Sequence, residues 1–122
     1  MLEIRGMLAV KCRVVEHVDW LMEGRKRFGD DMMSWKFVCP SCGYVISVRD
    51  WYDLEAPEGA IAFSCIGRFL RDGDEQSKAY MRTFHQKGGP CGYAGGGLIK
   101  LNPVVIVFPD GRKINVFEFA EK

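Results

Sequence analysis

The sequence predicts an α+β fold in which antiparallel β-hairpins pack with two or three short helices. Three observations carry this expectation. Two apolar runs flank a Pro109-Asp110-Gly111 turn near the C-terminus, and a second pair flanks Cys39-Pro40-Ser41-Cys42-Gly43. The intervening stretches show helical spacing bounded by capping residues.

Taken in order, residues 4–15 read as extended, because Ile4, Leu8, Val10, Val14 and Val15 supply aliphatic and β-branched side chains. Residues 16–28 read as a helix. Val18, Leu21 and Met22 fall at i, i+3 and i+4, Glu23 precedes Arg27 by one turn, and Gly29 ends the element. Residues 34–48 read as a hairpin, with Trp35-Lys36-Phe37-Val38 returning through Tyr44-Val45-Ile46. Ser47 or Asp50 is placed to cap a brief helical turn through Trp51, Tyr52 and Leu54. Residues 57–64 are open between a helix started by Pro57 and a strand through Ile61-Ala62-Phe63. Asp74 is expected to cap a helix over 75–87, with Tyr80, Met81 and Phe84 on one face and Gly88 beyond its end. Leu98–Phe108 and Lys113–Phe119 read as the last hairpin, with Pro103 implying an edge strand or a bulge.

The 122 residues suit one domain spanning 1–122, and a 48% hydrophobic, 27% charged composition excludes a wholly disordered chain. Seventeen basic against 16 acidic residues leave a net charge of +1, so the whole-molecule field selects neither nucleic acid nor an anionic membrane. No segment approaches the roughly 20 apolar residues of a membrane span. Met1-Leu2-Glu3-Ile4-Arg5-Gly6 carries an early acid and no long apolar stretch, so no export signal is expected, and the reading is cytoplasmic. In a reducing compartment, five cysteines point to metal before cross-links, and an odd number cannot pair completely within the chain.

Zinc favours four ligands in a tetrahedron, and thiolates suit it. Cys39 and Cys42, two residues apart and followed by Gly43, can present both sulfurs to one ion from a single turn. Cys65 precedes Gly67 by two positions, and Cys91 stands in Gly88-Gly89-Pro90-Cys91-Gly92. Cys12 has strand-like neighbours and no adjacent glycine, which reads as a spare thiol, buried or half-buried. The expected site is one structural zinc on Cys39, Cys42, Cys65 and Cys91, with His85 as a rival to Cys65 or Cys91. A redox dithiol would place the pair at a helix N-terminus, where the aromatic strand residues around Cys39 do not put it. Neither the deaminase nor the metalloprotease histidine pattern is present, and four thiolates close the coordination, so no catalytic residue is assigned. Such a site carries a formal charge of about −2, which Lys36, Arg49 and Arg68 are placed to offset.

Three further features bear on partners. Arg25-Lys26-Arg27 suits phosphate but equally suits a solvated helix end, where cations meet the macrodipole. Trp20, Trp35, Trp51, Tyr52 and Tyr44 can stack on bases, or build the core of a chain this small. Tyr93-Ala94-Gly95-Gly96-Gly97 allows close approach of a backbone or phosphate, without the context of a dinucleotide loop or P-loop. His17 reads as a surface residue at a helix start.

The segments Trp35-Lys36-Phe37-Val38-Cys39-Pro40-Ser41-Cys42-Gly43, Cys65-Ile66-Gly67-Arg68-Phe69 and Pro90-Cys91-Gly92-Tyr93 resemble a family of small zinc-ribbon-like proteins of bacteriophages, prophages and bacterial mobile elements. With Gly97-Leu98 and Asn102-Pro103-Val104 the resemblance spans roughly residues 35–119. It implies a zinc-ribbon-like knuckle and a host-cytoplasmic setting, and supplies no activity. The expected function is therefore a non-enzymatic zinc protein that binds a host or defence protein. The alternative is a nucleic-acid-binding zinc-ribbon module using Arg25, Lys26, Arg27, Lys36 and Arg68.

Overall fold

A computed structural model describes residues 12–84 and 88–121. The expected extension over 4–11 and the rival ligand His85 lie outside the described residues. Among the described residues, three helices and two small sheets make up an α+β fold, as expected. The elements are β1 (Arg13–Glu16), α1 (His17–Phe28), β2 (Lys36–Val38), β3 (Val45–Ser47), α2 (Val48–Asp53), α3 (Glu75–Met81), β4 (Val104–Val107), β5 (Lys113–Val116) and β6 (Glu118–Phe119). Short 3-10 turns occupy 32–34, 58–60 and 66–69.

One sheet has the order β1-β4-β5, with β1 parallel and β5 antiparallel to the central β4. The other has the order β3-β2-β6, antiparallel throughout. Pro103 does not mark β4 as an edge. It sits just ahead of the strand, where its missing N–H breaks no ladder bond and its carbonyl accepts from the Arg13 N–H at 2.9 Å. The run 113–119 also divides. Phe117 leaves the β4 ladder, donates its N–H to Ala62 O and buries its ring completely, so β5 and β6 serve different sheets.

Trp35, Phe37, Trp51, Phe117 and Phe119 form an almost wholly buried aromatic core with Ile46, Leu54, Val104 and Ile106. Trp20 adds a half-buried lid, its ring centroid 5.3 Å from that of Phe119 and 5.7 Å from that of Trp35. Helix α1 therefore turns a different face inward than Val18 and Met22 suggest: those two are 61% and 59% exposed. The inward face runs through Trp20, Leu21, Gly24 and Phe28, spaced by three and four residues. Gly24 is what lets the helix approach, since a Cβ there would overlap the Trp35 ring. Gly24→Ala should lower stability in a denaturant melt. Overpacking costs about 1–3 kcal/mol, against about 1 kcal/mol gained in helix propensity. A stabilised variant would disprove the contact.

The expected caps form. Gly29 ends α1 with its N–H on Arg25 O, and Glu23 meets Arg27 at 3.0 Å. Both candidate caps of α2 are used: Ser47 accepts from the Asp50 N–H, and Asp50 accepts from the Ser47 N–H. Ser47→Ala should cost about 1 kcal/mol, read as a shift in the denaturant midpoint. Asp74 caps α3, which ends at Met81, six residues before the expected limit, with turns following. Residues 57–64 form no strand; a short 3-10 turn over Glu58–Ala60 follows Pro57, and Ala62, at φ 57 in the left-handed region, prevents either an α-helix or a strand beyond it.

Candidate metal centre

The Cys39–Tyr44 turn closes the β2–β3 hairpin. The Cys39 N–H donates to Tyr44 O at 3.0 Å, and the Gly43 N–H donates to Cys39 O at 2.9 Å. Gly43 stands at φ 82, so the turn needs a residue without a Cβ directly after Cys42. Cys65 arrives from the loop that follows α2, completely buried, its N–H on Tyr93 O at 3.0 Å. The same loop pairing brings Cys91 across, its N–H donating to the Cys65 sulfur at 3.3 Å.

The four sulfurs of Cys39, Cys42, Cys65 and Cys91 all lie within 4.8 Å of one another, a group able to hold a metal ion. Cys39 Sγ is 3.9 Å from Cys91 Sγ, and Cys42 Sγ is 3.9 Å from Cys65 Sγ. A tetrahedron with metal–sulfur bonds of about 2.3 Å has edges of about 3.8 Å, so the cage needs little adjustment to close on an ion. Backbone N–H groups of Ser41 and Cys42 face the Cys39 sulfur, and those of Gly67 and Cys91 face Cys65. These donors favour thiolates.

The thiols of Cys39, Cys42 and Cys65 differ sharply in acidity because they lie against one another. The hydrogen bond from Cys65 holds the Cys39 thiol down at about 5, with the nearby N–H groups helping against burial. Burial pushes Cys42 up to about 12, and the charge on Cys39 adds to it. The bond it gives Cys39, and then burial, push Cys65 well above the ordinary thiol range. One thiolate, on Cys39, thus forms readily, and a dication favours ionisation of Cys42 and Cys65.

Glycines position the cage less simply than their adjacency to cysteine suggests. A Cβ on Gly67 would overlap the Cys91 carbonyl, which fixes the approach of the two loops. Gly92 has open space and an ordinary φ. The restricted residue beside Cys91 is Gly89, at φ 82, where a Cβ would strike Cys42 Sγ and Tyr44. Its signal in the sequence is the run Gly88-Gly89-Pro90. Gly89→Ala should therefore weaken metal retention against a chelator about tenfold or more, with the remaining fold intact.

Cys12 stands apart and is exposed, not buried. It shares the outward parity of Val14 and Glu16 along β1, while Arg13 and Val15 turn inward. His17 is half-buried rather than superficial, its ring 4.6 Å from that of Phe108. Of the basic residues, Arg25 and Lys26 are exposed at the end of α1, and Arg27 pairs with Glu23 and lies 5.7 Å over the Phe119 ring. Lys36 and Arg49 are exposed, and Arg68 lies 5.9 Å over the Phe69 ring in the turn after Cys65. No helix among the described residues is long and apolar enough to cross a membrane.

Residues 16–120 match a family model described as VVA0879-like, a span that contains all four cysteines and the three helices. No curated protein and no solved structure matches the chain.

Proposed function

The chain belongs to the VVA0879-like family, and on that premise we propose that it is a non-enzymatic binding protein whose fold is locked by one zinc ion. The observation that carries this reading is the composition of the cage. It offers four thiols and, among the described residues, no imidazole or carboxylate. Four thiolates fill a tetrahedral zinc and leave no position for water or substrate. Zinc fits better than a hard cation, because every donor is sulfur.

The partner surface in this reading is an apolar cleft of about 390 Å³ between α1 and the two sheets, lined by Trp20, Met33, Ile61 and Phe108. Tyr52 and Ile114, each 43% exposed, stand at its rim. Aromatic and methionine side chains of this kind suit the apolar side chains of a protein partner. The resemblance of the cysteine-bearing segments to phage proteins supports a host or defence protein as that partner. Native mass spectrometry of protein purified from its own background tests both parts. One zinc and a retained protein are expected, with the partner lost from Tyr52→Glu and Ile114→Glu. Absence of zinc, or partner retention by both variants, would reject the corresponding half.

The alternative, a nucleic-acid module acting through Arg25, Lys26, Arg27, Lys36 and Arg68, predicts a salt-dependent gel shift. No shift of DNA or RNA at low salt ends it.

A further inference from the structure

The β1-β4-β5 sheet turns one face to the core, through Val15, Val104, Ile106 and Val116. The register fixes what the other face shows, because successive side chains alternate across a sheet. Val14 stands beside Val105 and Asn115 in one row, and Glu16 beside Val107 and Lys113 in the next. Val14 is 69% exposed, Glu16, Asn115 and Lys113 are exposed, and the two central valines are half-buried. Sheets built on parallel pairing are normally covered on both faces, and their strands run continuously apolar, as Val104-Val105-Ile106-Val107 does. The sequence of β4 thus suits a strand buried on both sides, and among the described residues only one side is.

Charge gives the outer face a direction. Glu16 and Lys113 lie at its opposite edges with Val107 between them, two strand spacings or about 10 Å apart. Neither has an ion-pair partner among the described residues. Across the sheet the row reads acid, apolar, base. A two-fold axis along β4 sets the β4 strands of two copies over each other, and β1 of each over β5 of the other. It keeps the height of every row, so Glu16 of each copy comes opposite Lys113 of the other, while Val105 and Val107 meet their counterparts. An axis across the strands fails, since it sets Glu16 against Glu16 or against Val14.

We infer that this face joins two copies of the chain, sheet on sheet, about a two-fold along β4, with a Glu16–Lys113 pair closing each side. An isologous contact of this kind requires a self-complementary patch, which the register supplies. Packed sheets lie about 10 Å apart, a gap that opposed glutamate and lysine side chains span. Three strands of four residues offer a face of only about 13 by 14 Å. The dimer therefore belongs with weak, transient contacts and a micromolar dissociation constant. The cleft bearing Ile114 opens on the opposite face of the sheet, so dimerisation leaves it accessible and does not depend on the protein-partner reading.

The test is sedimentation of full-length, metal-loaded protein from about 1 to 500 μM, a range that brackets a micromolar constant. The parent should pass from monomer to dimer. Glu16→Lys and Lys113→Glu should each weaken association at least about tenfold, with melting and metal content unchanged because both side chains are exposed. An equimolar mixture of the two variants should dimerise again, since every edge then meets the opposite sign. A zero-length carbodiimide cross-link from Glu16 to Lys113 should join isotope-labelled to unlabelled copies of the parent. The inference is overturned by a parent that stays monomeric throughout, by single variants that dimerise as tightly as the parent, or by a mixture that does not recover. Dimers that form only after deletion of residues 1–11 would assign the face to that segment and overturn it as well.

Discussion

Chelation of the metal at neutral pH is expected to unfold at least the middle of the chain, with loss of near-ultraviolet aromatic signal. Zinc in small thiolate sites contributes on the order of 10–16 kcal/mol, which equals or exceeds the typical net stability of a domain, about 5–15 kcal/mol. On the proposed structural-zinc reading, the ion therefore decides whether the fold persists. The cage ties two long loops together, and the buried Cys65 would otherwise sit beside other sulfurs with no ion between them. The sign with pH follows from the metal-free thiols. Cys42 and Cys65 are raised above the ordinary thiol range and hold their protons at neutral pH, so uptake of the metal releases protons. Affinity should fall as pH is lowered from 8 to 6. A melt unchanged by chelator, or affinity that rises with acid, would remove the structural-metal reading.

The second large effect separates the ligand set residue by residue. Cys65→Ser should abolish stoichiometric metal at micromolar concentration and lower the melting temperature as far as chelation does. It removes one ligand and leaves a buried hydroxyl beside three thiols. Cys12→Ser should retain one metal and the parent melt, because that side chain is exposed and outside the cage. His85→Ala should also retain the metal if Cys65 and Cys91 complete the set. Full metal loading of Cys65→Ser together with loss in His85→Ala would make the imidazole the fourth ligand.

What the sequence could disclose depended on how local each cause was. The β2–β3 hairpin and the cap of α3 were legible because the signals are contiguous: alternating apolar residues around a Cys-x-x-Cys turn, and an aspartate three residues before a serine. The inward face of α1 was not. Val18 and Met22 outrank Gly24 in hydrophobicity, yet the helix is positioned by the absence of a side chain beneath Trp35. The division of residues 113–119 at Phe117 was hidden too, since it rests on a bond to Ala62 more than 50 residues away. The centre divides along the same line. Cys39 and Cys42 declare themselves by spacing, whereas the meeting of Cys65 with Cys91 depends on the Cys65–Tyr93 backbone bond and the empty space at Gly67.

The strand order also governs when this chain can fold during synthesis. Among the described residues β1 pairs only with β4, and β2 gains its second neighbour only from β6, so each sheet is completed by residues beyond 103. The four cysteines, all emerging by residue 91, are complete before that. In order of emergence, the four cysteines come before the strands that complete the sheets, so on the proposed reading the cysteine loops can close on an ion while β1 and β2 still lack their distant partners. A chain ending after residue 103, held on the ribosome by an added linker long enough to carry all four cysteines out of the exit tunnel, should already resist thiol labelling at Cys39 and Cys42 while remaining sensitive to protease around β1.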